Sequence, residues 1–215
     1  MKITGIKAQV RRAGRFSVFV DGKYLFGLSE AGLLEHKLFV GLELDEAKIK
    51  QLKQASSDDK LFGLVLHYVA LRPRSEWELR GYLQRKQAPP ALADQILNKL
   101  SMNNLVDDLK FATAWVESRR LLRPTSKRKL QQELRAKRVS DAIVGQVLAA
   151  DETDERALLC ALIAKKRQQT RYHDDLKLMQ YLVRQGFSYG DVKVVFQELK
   201  EGSSPSDGFI PVSGP

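Results

Sequence analysis

The sequence has few of the residues that most catalytic and metal sites require. Its 215 residues include one cysteine, Cys160, and three isolated histidines, none of them at metal-ligand spacing. One cysteine excludes an internal disulfide, and its neighbours in LLCALIA indicate a buried, unreactive thiol. A glycine-rich phosphate loop and a GxSxG nucleophile motif are also missing. The sequence therefore predicts neither an enzyme nor a bound cofactor or metal.

Long hydrophobic runs are absent as well. No stretch approaches the ~20 apolar residues of a membrane-spanning helix. The first residues, MKITGIKAQVRR, contain no apolar core of a secretory signal. We therefore expect a cytoplasmic protein without a membrane partner.

Positive charge is abundant and unevenly distributed. The formal net charge is +10, and residues 72–140 contain 16 Lys and Arg against 7 Asp and Glu, which is +9 of that excess. Such a surface fits nucleic acid or an acidic protein surface, unless it is only a solvated basic face.

The N-terminal residues predict a small antiparallel β meander. FSVFV and KYLFGL flank Asp21-Gly22, a strong hairpin signal, and ITGIKAQV before them is typical of a third strand. Ser29 and Asp45 are placed to cap short helices, and SSDD at 56–59 suggests a turn and a further cap. The Gly-, Ser- and Pro-rich residues 201–215 predict a disordered tail.

The region between these segments is helical and repeats itself. RPRSEWELRGYLQRK begins at Arg72, RPTSKRKLQQELRAK at Arg123 and RYHDDLKLMQYLVRQ at Arg171. Each has a capping residue three positions after the arginine and leucines four and eight positions after the cap. A further apolar helix precedes and follows each copy. This pattern predicts three tandem three-helix repeats.

Stacked repeats bury their faces against one another, so the fold class is mainly α, an elongated curved array with an N-terminal β meander. The domains predicted are 1–57, with the strands and short helices, then repeats at 58–106, 107–152 and 153–200. Because the repeats already cover one another, we expect a monomer.

The middle repeat carries an unusual helix start. Ser126 is the cap, yet Lys127, Arg128 and Lys129 follow it, at the end of the helix dipole that disfavours cations. The first repeat has the capping box of Ser75 and Glu78 there instead. Free N–H groups beside three cations predict an anion, either a phosphate backbone or a carboxylate-rich protein surface.

Other constellations are weaker. The pairs Asp107-Asp108 and Asp174-Asp175 stand where helices begin, so capping explains them without magnesium. Phe111 and Trp115 are four residues apart and predict core packing, whereas Trp77 could be exposed and stack on a base. The last helix of each repeat begins with few base-reading side chains, which argues against a helix-turn-helix DNA reader.

The motifs of the first two repeats resemble the RecX regulatory proteins of bacteria. The resemblance rests on RPRSEWELRGYLQRK, LVDDLKFATAWVESRR and KLQQELRAKRV, and covers about residues 58–199. One departure is Arg138, where the family usually has glycine. The resemblance implies a non-enzymatic regulator that lodges in the filament of the RecA recombinase on single-stranded DNA. Filament growth, strand exchange, ATP hydrolysis and co-protease activity would then fall.

We expect the partner-binding face to consist of basic side chains of the middle repeat, which are Arg119, Arg120, Arg123, Lys127, Arg128, Lys129, Arg135 and Lys137. Single- or double-stranded DNA would be a further partner. Two alternatives stay open at this point. One is a nonspecific nucleic-acid-binding helical protein, with a steep salt dependence on naked DNA. The other is a helical scaffold that binds neither partner.

Overall fold

A computed structural model describes residues 1–10 and 12–201, with the backbone alone for Lys200 and Glu201. The predicted tail lies outside the described residues from 202 onward. The chain divides into two compact units, residues 1–107 and a second that begins at Asp108.

The first unit opens with a three-stranded antiparallel meander in the order β1-β2-β3. The strands are β1 (Ile3–Ala8), β2 (Arg15–Val20) and β3 (Lys23–Ser29). Asp21 and Gly22 join the last two with φ angles of 47° and 79°, the left-handed geometry of a two-residue hairpin turn. The inward side chains of Val18, Phe26 and others pack on the helices that follow. The meander predicted from the sequence is therefore confirmed.

Two helices follow the sheet, and the second of them continues into the first repeat. They are α1 (Glu30–Glu35), capped by Ser29, and α2 (Glu46–Ala70), capped by Asp45. The turn predicted at 56–59 is wrong, because α2 runs through it without a break. The polar side chains at these positions form hydrogen bonds with residues of the sheet. Ser56 donates to the carbonyl of Gly27 at 2.6 Å, and Asp59 accepts from Arg15 at 2.7 Å. The predicted boundary at 57 and 58 consequently falls inside one helix.

The remaining helices fall into the predicted order. They are α3 (Glu76–Arg85), α4 (Pro90–Met102), α5 (Asp108–Leu122), α6 (Lys127–Ala136), α7 (Asp141–Ala150), α8 (Glu155–Arg167), α9 (Asp175–Arg184) and α10 (Tyr189–Glu201), with a 3₁₀ turn at Thr170–Tyr172. The fold class is confirmed: the described chain is mainly helical, with one small antiparallel sheet.

The repeated leucines form the centre of each three-helix cluster. Six of these leucines are fully buried: Leu79, Leu83, Leu130, Leu134, Leu178 and Leu182. Leucines four residues apart share one helix face, so each short middle helix (α3, α6 or α9) presents a continuous apolar stripe to its neighbours. Complete burial of a leucine side chain stabilises by about 1.5–3 kcal/mol relative to exposure.

The three middle helices also end in the same way. The residue after each C-cap has positive φ, at Gln87 (57°), Arg138 (59°) and Gly186 (93°). The left-handed residue lets the chain turn sharply into the next helix. At Gly186 there is no room for a side chain, because a Cβ would lie 2.3 Å from Ser126 Oγ and 2.6 Å from Lys129 Cβ. The end of α9 therefore packs directly against the start of α6.

Candidate partner-binding surface

The start of α6 already holds an anion, and this anion belongs to the same chain. Ser126 Oγ accepts from the N–H of Lys129 at 3.1 Å, as a cap does. Glu155 Oε1, from the first turn of α8, accepts from the N–H of Lys127 at 2.5 Å. Two of the N–H groups that the sequence left free for a partner's anion, those of Lys127 and Lys129, are therefore already bonded within the chain. A carboxylate at this end offsets both the helix dipole and the nearby cations.

Arg120 is a structural group of the second repeat that joins the end of α5 to the end of α7 and to the segment before α6. It forms an ion pair with Asp151 at 2.5 Å and donates to the carbonyl of Thr125 at 2.5 Å. The two charged side chains are only 13% and 7% exposed. Burial alone would raise the pKa of Asp151, but hydrogen bonds from Arg120 and Thr153 lower that pKa below its ordinary value. Arg120 thus has its charge neutralised inside the unit.

Arg119 and Lys137 surround Trp115. The Arg119 guanidinium lies 4.5 Å from the centre of the indole ring, and the Lys137 ammonium lies 5.3 Å from it. Glu133 Oε2 accepts from Arg119 at 2.6 Å and from the Trp115 indole N–H at 2.9 Å. Phe111 packs beside Trp115 and is buried, as predicted. The cluster connects α5 to α6. Arg119 and Lys137 therefore pack against Trp115 and do not project freely into solvent.

Similar clusters stand at the equivalent place in the other repeats. In the first, Tyr68 and Tyr82 stack at 4.3 Å, and Arg74 lies 3.8 Å above Tyr68. In the third, Lys166 lies 4.9 Å from the ring of Tyr181. In each repeat, cations packed on aromatic rings therefore contribute to the contact between the first and the second helix. Trp77 is outside these clusters and is half exposed at the start of α3.

The other predicted cations differ in how much of their charge is available. Arg123 and Arg128 are exposed, and neither has an ion-pair partner within 1–10 and 12–201. Lys127 and Lys129 are half-buried at the start of α6. Arg135 is exposed but pairs with Asp141 at 2.7 Å.

A groove of about 400 Å³ joins two of the predicted residues to cations that the sequence reasoning missed. Arg119 and Arg123 line one side, and Lys165 and Lys166 of α8 line the other. The carboxylate in the lining is Glu133, which is already bonded to Arg119 and Trp115. Arg128 lies apart from this groove, in a separate cavity of about 370 Å³ with Glu155 and Arg156. Lys165 and Lys166 lie beyond the strongly basic stretch 72–140, so net charge by region did not single them out.

The described residues were also expected to hold neither a metal nor a membrane-spanning helix. In this part of the protein no group of three or more His, Cys, Asp or Glu side chains could hold a metal ion. Among its helices, none is long and apolar enough to cross a membrane. Cys160 is half-buried against the core of the third repeat.

Comparison with known proteins gives one family along the chain. Residues 1–45 match the regulatory protein RecX N-terminal domain, residues 62–100 the first RecX three-helix domain, and residues 107–148 the second. Two similar relatives are the regulatory protein RecX of Bacillus pumilus and that of Listeria innocua. Each is 31% identical, over 93% and 87% of this chain and 78% and 72% of the relative.

A solved structure agrees. The crystal structure of a regulatory protein RecX is 28% identical and has a TM-score of 0.69, and the match covers 91% of this chain and 98% of that one. Sheet, caps, buried leucines and basic surface thus occur on a chain whose N-terminal domain and first two repeats each match this family. The chain belongs to the RecX family of regulatory proteins.

Proposed function

We propose that this chain is a non-enzymatic regulator that binds the filament of RecA on single-stranded DNA and limits its growth. Strand exchange, ATP hydrolysis and co-protease activity of the filament would decline as a consequence, and with them the extent of recombinational repair. Membership of the RecX family supports a regulatory role, and the basic surface of the second unit supports a partner that carries negative charge.

The observation that carries the proposal is the groove between the second and third repeats. Arg119, Arg123, Lys165 and Lys166 converge there, while the carboxylate in the lining, Glu133, is already engaged. A nucleoprotein filament offers phosphates and acidic side chains along one continuous surface. Charges of opposite sign increase the rate of encounter and fix orientation more than they add affinity.

The eight predicted cations remain the proposed face, with different roles. Arg123 and Arg128 are the contacts with the most accessible charge, and Lys127, Lys129 and Arg135 lie near the start and end of α6. Arg119 and Lys137 contribute through the Trp115 cluster. Arg120 holds the end of α7 and the segment before α6 in place, so we assign it a positioning role. Lys165 and Lys166 are added to the face on the strength of the groove.

The test is ATP hydrolysis by the cognate RecA on single-stranded DNA, titrated with this protein at fixed salt. We expect inhibition well below one copy per RecA protomer, because a regulator that limits growth need not cover the DNA. Inhibition only at ratios that saturate the DNA would instead indicate competition for DNA, which is the alternative of a nonspecific nucleic-acid-binding protein. No inhibition at any ratio would reject the proposal.

A matched pair of variants locates the surface. Arg123→Glu with Lys165→Glu reverses two exposed charges of the groove. Arg184→Glu with Lys193→Glu makes the same change of net charge at exposed positions of the same unit outside it. We expect the first pair to raise the concentration for half-inhibition about tenfold or more, and the second to change it far less. Equal effects would show that net charge, and not this groove, governs inhibition.

A further inference from the structure

A second basic cavity lies in the N-terminal unit, far along the sequence from the basic face. It has a volume of about 400 Å³ and lies between the sheet and α2. Its lining includes Arg12, Arg15, Tyr24, Lys53 and Lys60, and we call it the strand pocket. The sequence reasoning did not single it out, because its cations are spread over fifty residues of sequence.

The strand pocket has an uncompensated positive charge. Its lining includes four cations and no carboxylate. Arg15 is neutralised, because it pairs with Asp59 at 2.7 Å and also donates to the carbonyl of Gly27 at 2.9 Å. The side chains of Arg12, Lys53 and Lys60 are exposed, and none of them has an ion-pair partner in the part of the chain that is described. Three positive charges therefore face a cavity without an internal counter-charge.

The wall is polar and fixed by hydrogen bonds. Gln9 donates to Ser17 at 3.2 Å, and Ser56 donates to the carbonyl of Gly27 at 2.6 Å. A Cβ at Gly27 would lie 2.7 Å from Gln9 Nε2 and 3.2 Å from the carbonyl oxygen of Phe16. Glycine at this position lets the strand backbone form the floor. The cavity is thus a polar site with a hydrogen-bonded wall and exposed cations at its rim.

Tyr24 adds an aromatic ring to the same rim. It is 58% exposed, and its contact with Phe19 is edge-to-face, with the ring centres 6.1 Å apart at 75°. Proteins that hold single strands combine a positive groove along the backbone with exposed rings on which bases stack. Both elements occur here within one cavity.

The spacing of the cations favours a polymer with repeated charges over a single anion. Lys53 and Lys60 are seven residues apart on α2, about 10 Å along the helix axis. A chain with a charge on every unit can place a separate charge opposite each ammonium group, whereas both lysines would have to bend towards one carboxylate or phosphate. We propose that the strand pocket binds the phosphate backbone of single-stranded nucleic acid, with Arg12, Lys53 and Lys60 on phosphates and Tyr24 against a base. This site goes beyond the proposed filament role and gives the N-terminal sheet a function of its own.

The test uses the full chain and a fluorescein-labelled oligodeoxythymidine of twelve nucleotides, with binding followed by anisotropy over a range of salt concentrations. The background is Arg123→Glu with Lys165→Glu, so that the groove of the second unit does not mask the result. Lys53→Glu with Lys60→Glu is compared with Lys37→Glu with Lys50→Glu, which are exposed, in the same unit and outside the pocket. Thermal unfolding confirms that all variants are folded.

We expect the Lys53 and Lys60 variant to bind at least about tenfold more weakly than its control. The slope of log affinity against log salt should fall in magnitude by about 1.4, because each lost phosphate contact on a single strand contributes about 0.7. Tyr24→Leu should also weaken binding several-fold, with the salt slope unchanged, since stacking releases no counter-ions. This difference in salt dependence separates the two roles.

Two results would overturn the inference. One is an affinity for the oligonucleotide that is equal in the pocket variant and its control. The other is displacement of the oligonucleotide by poly-glutamate as effective as displacement by unlabelled oligonucleotide, which would assign the pocket to an acidic protein segment. RecA inhibition, measured on Lys53→Glu with Lys60→Glu and on its control in the chain that keeps Arg123 and Lys165, keeps the two proposals apart. Loss of oligonucleotide binding with normal inhibition supports the strand pocket, whereas loss of inhibition with normal oligonucleotide binding removes it and leaves the filament role standing.

Discussion

The carboxylate of Glu155 accepts a hydrogen bond from the backbone N–H of Lys127, 28 residues earlier in the chain, at 2.5 Å. The third repeat therefore supplies part of the cap for the middle helix of the second. This contact explains how α6 tolerates Lys127, Arg128 and Lys129 in its first turn. In the first repeat the first turn of α3 contains two acids of its own, Glu76 and Glu78, in place of a carboxylate from another repeat.

Loss of this carboxylate should destabilise the second unit. Glu155→Ala leaves one N–H of α6 without its acceptor and three cations beside a positive helix end. A hydrogen bond to a charged group contributes about 1.5–3 kcal/mol, so we expect a loss of about 2 kcal/mol in the free energy of unfolding, measured in urea. Glu152→Ala, at an exposed position in the loop before α8, is the control and should change it by less than about 0.5 kcal/mol. A loss equal to the control would show that the contact adds no stability.

The same contact changes the expected result of charge reversal at the start of α6. From the sequence, replacement of Lys127, Arg128 and Lys129 by Glu should improve the helix start. In the structure the new acids would face Glu155, so part of this gain is cancelled by repulsion between like charges. Single replacement of Arg128, which is exposed, is the cleaner probe of partner binding.

Arg138 occupies a position at which glycine should be more stable. Its φ of 59° is left-handed, which costs a residue with a Cβ roughly 1–2 kcal/mol, whereas glycine adopts it freely. Glycine also has more freedom to lose on folding, which offsets part of the gain. We expect Arg138→Gly to raise the free energy of unfolding by about 0.5–1 kcal/mol.

A control for this variant lies in the same turn. Arg135→Gly removes a cation from the last turn of α6, where glycine is unfavourable by about 1 kcal/mol, so it should lower stability. Both variants lose one positive charge, and Arg135→Gly also loses the exposed ion pair with Asp141, which contributes about 0.2–1 kcal/mol. A decrease of stability in Arg138→Gly would contradict the argument from backbone geometry.

Much of the fold follows from local patterns. The predicted helix caps are confirmed at Ser29, Asp45, Ser75 and Ser126. A cap joins residues only three positions apart, so a short stretch of sequence is enough to predict it. The leucine stripe and the hairpin at Asp21 are local for the same reason. The interruption expected at 56–59 failed because its polar residues bond to strands about thirty residues away, which no local pattern reveals.

The candidate site was less predictable than the fold. Arg120 and Arg123 are three residues apart in one basic stretch, yet one is buried against Asp151 and the other is exposed. The difference depends on a partner more than thirty residues later in the chain. Lys165 joins Arg123 only through the packing of α8 near the end of α5. Sequence reasoning can identify which region is basic, but tertiary contacts decide which cations are available.

Asp59 should be the most sensitive acid of the N-terminal unit. It accepts from Arg15 at 2.7 Å and from the backbone N–H and the hydroxyl of Ser29 at 2.9 and 2.5 Å. These bonds fix α2 to the sheet and orient the wall of the strand pocket. Asp59→Ala should lower the free energy of unfolding by about 3 kcal/mol, since it leaves the largely buried Arg15 without its counter-charge. Asp58→Ala, at the neighbouring position on α2, is the control, and a similar loss there would reject a special role for Asp59.

The pair of Arg120 and Asp151 should make stability depend on pH. The pKa of Asp151 is below its ordinary value of 3.8 in the folded protein, so the unfolded chain binds a proton at this site at higher pH than the folded one. The stabilisation is therefore fully present above about pH 5 and is lost as the pH falls through the folded pKa.

In Arg120→Met, Asp151 is left buried without its counter-charge, and removal of one partner of a buried pair costs about 3–5 kcal/mol at pH 7. The deficit should shrink as the pH falls towards 4, because the uncompensated carboxylate can then accept a proton. Urea unfolding of both proteins at pH 7 and pH 4 measures this difference, with Arg123→Met, an exposed arginine three residues away, as the control. A deficit that is the same at both pH values would show that Arg120 acts through packing and not through the charge of Asp151.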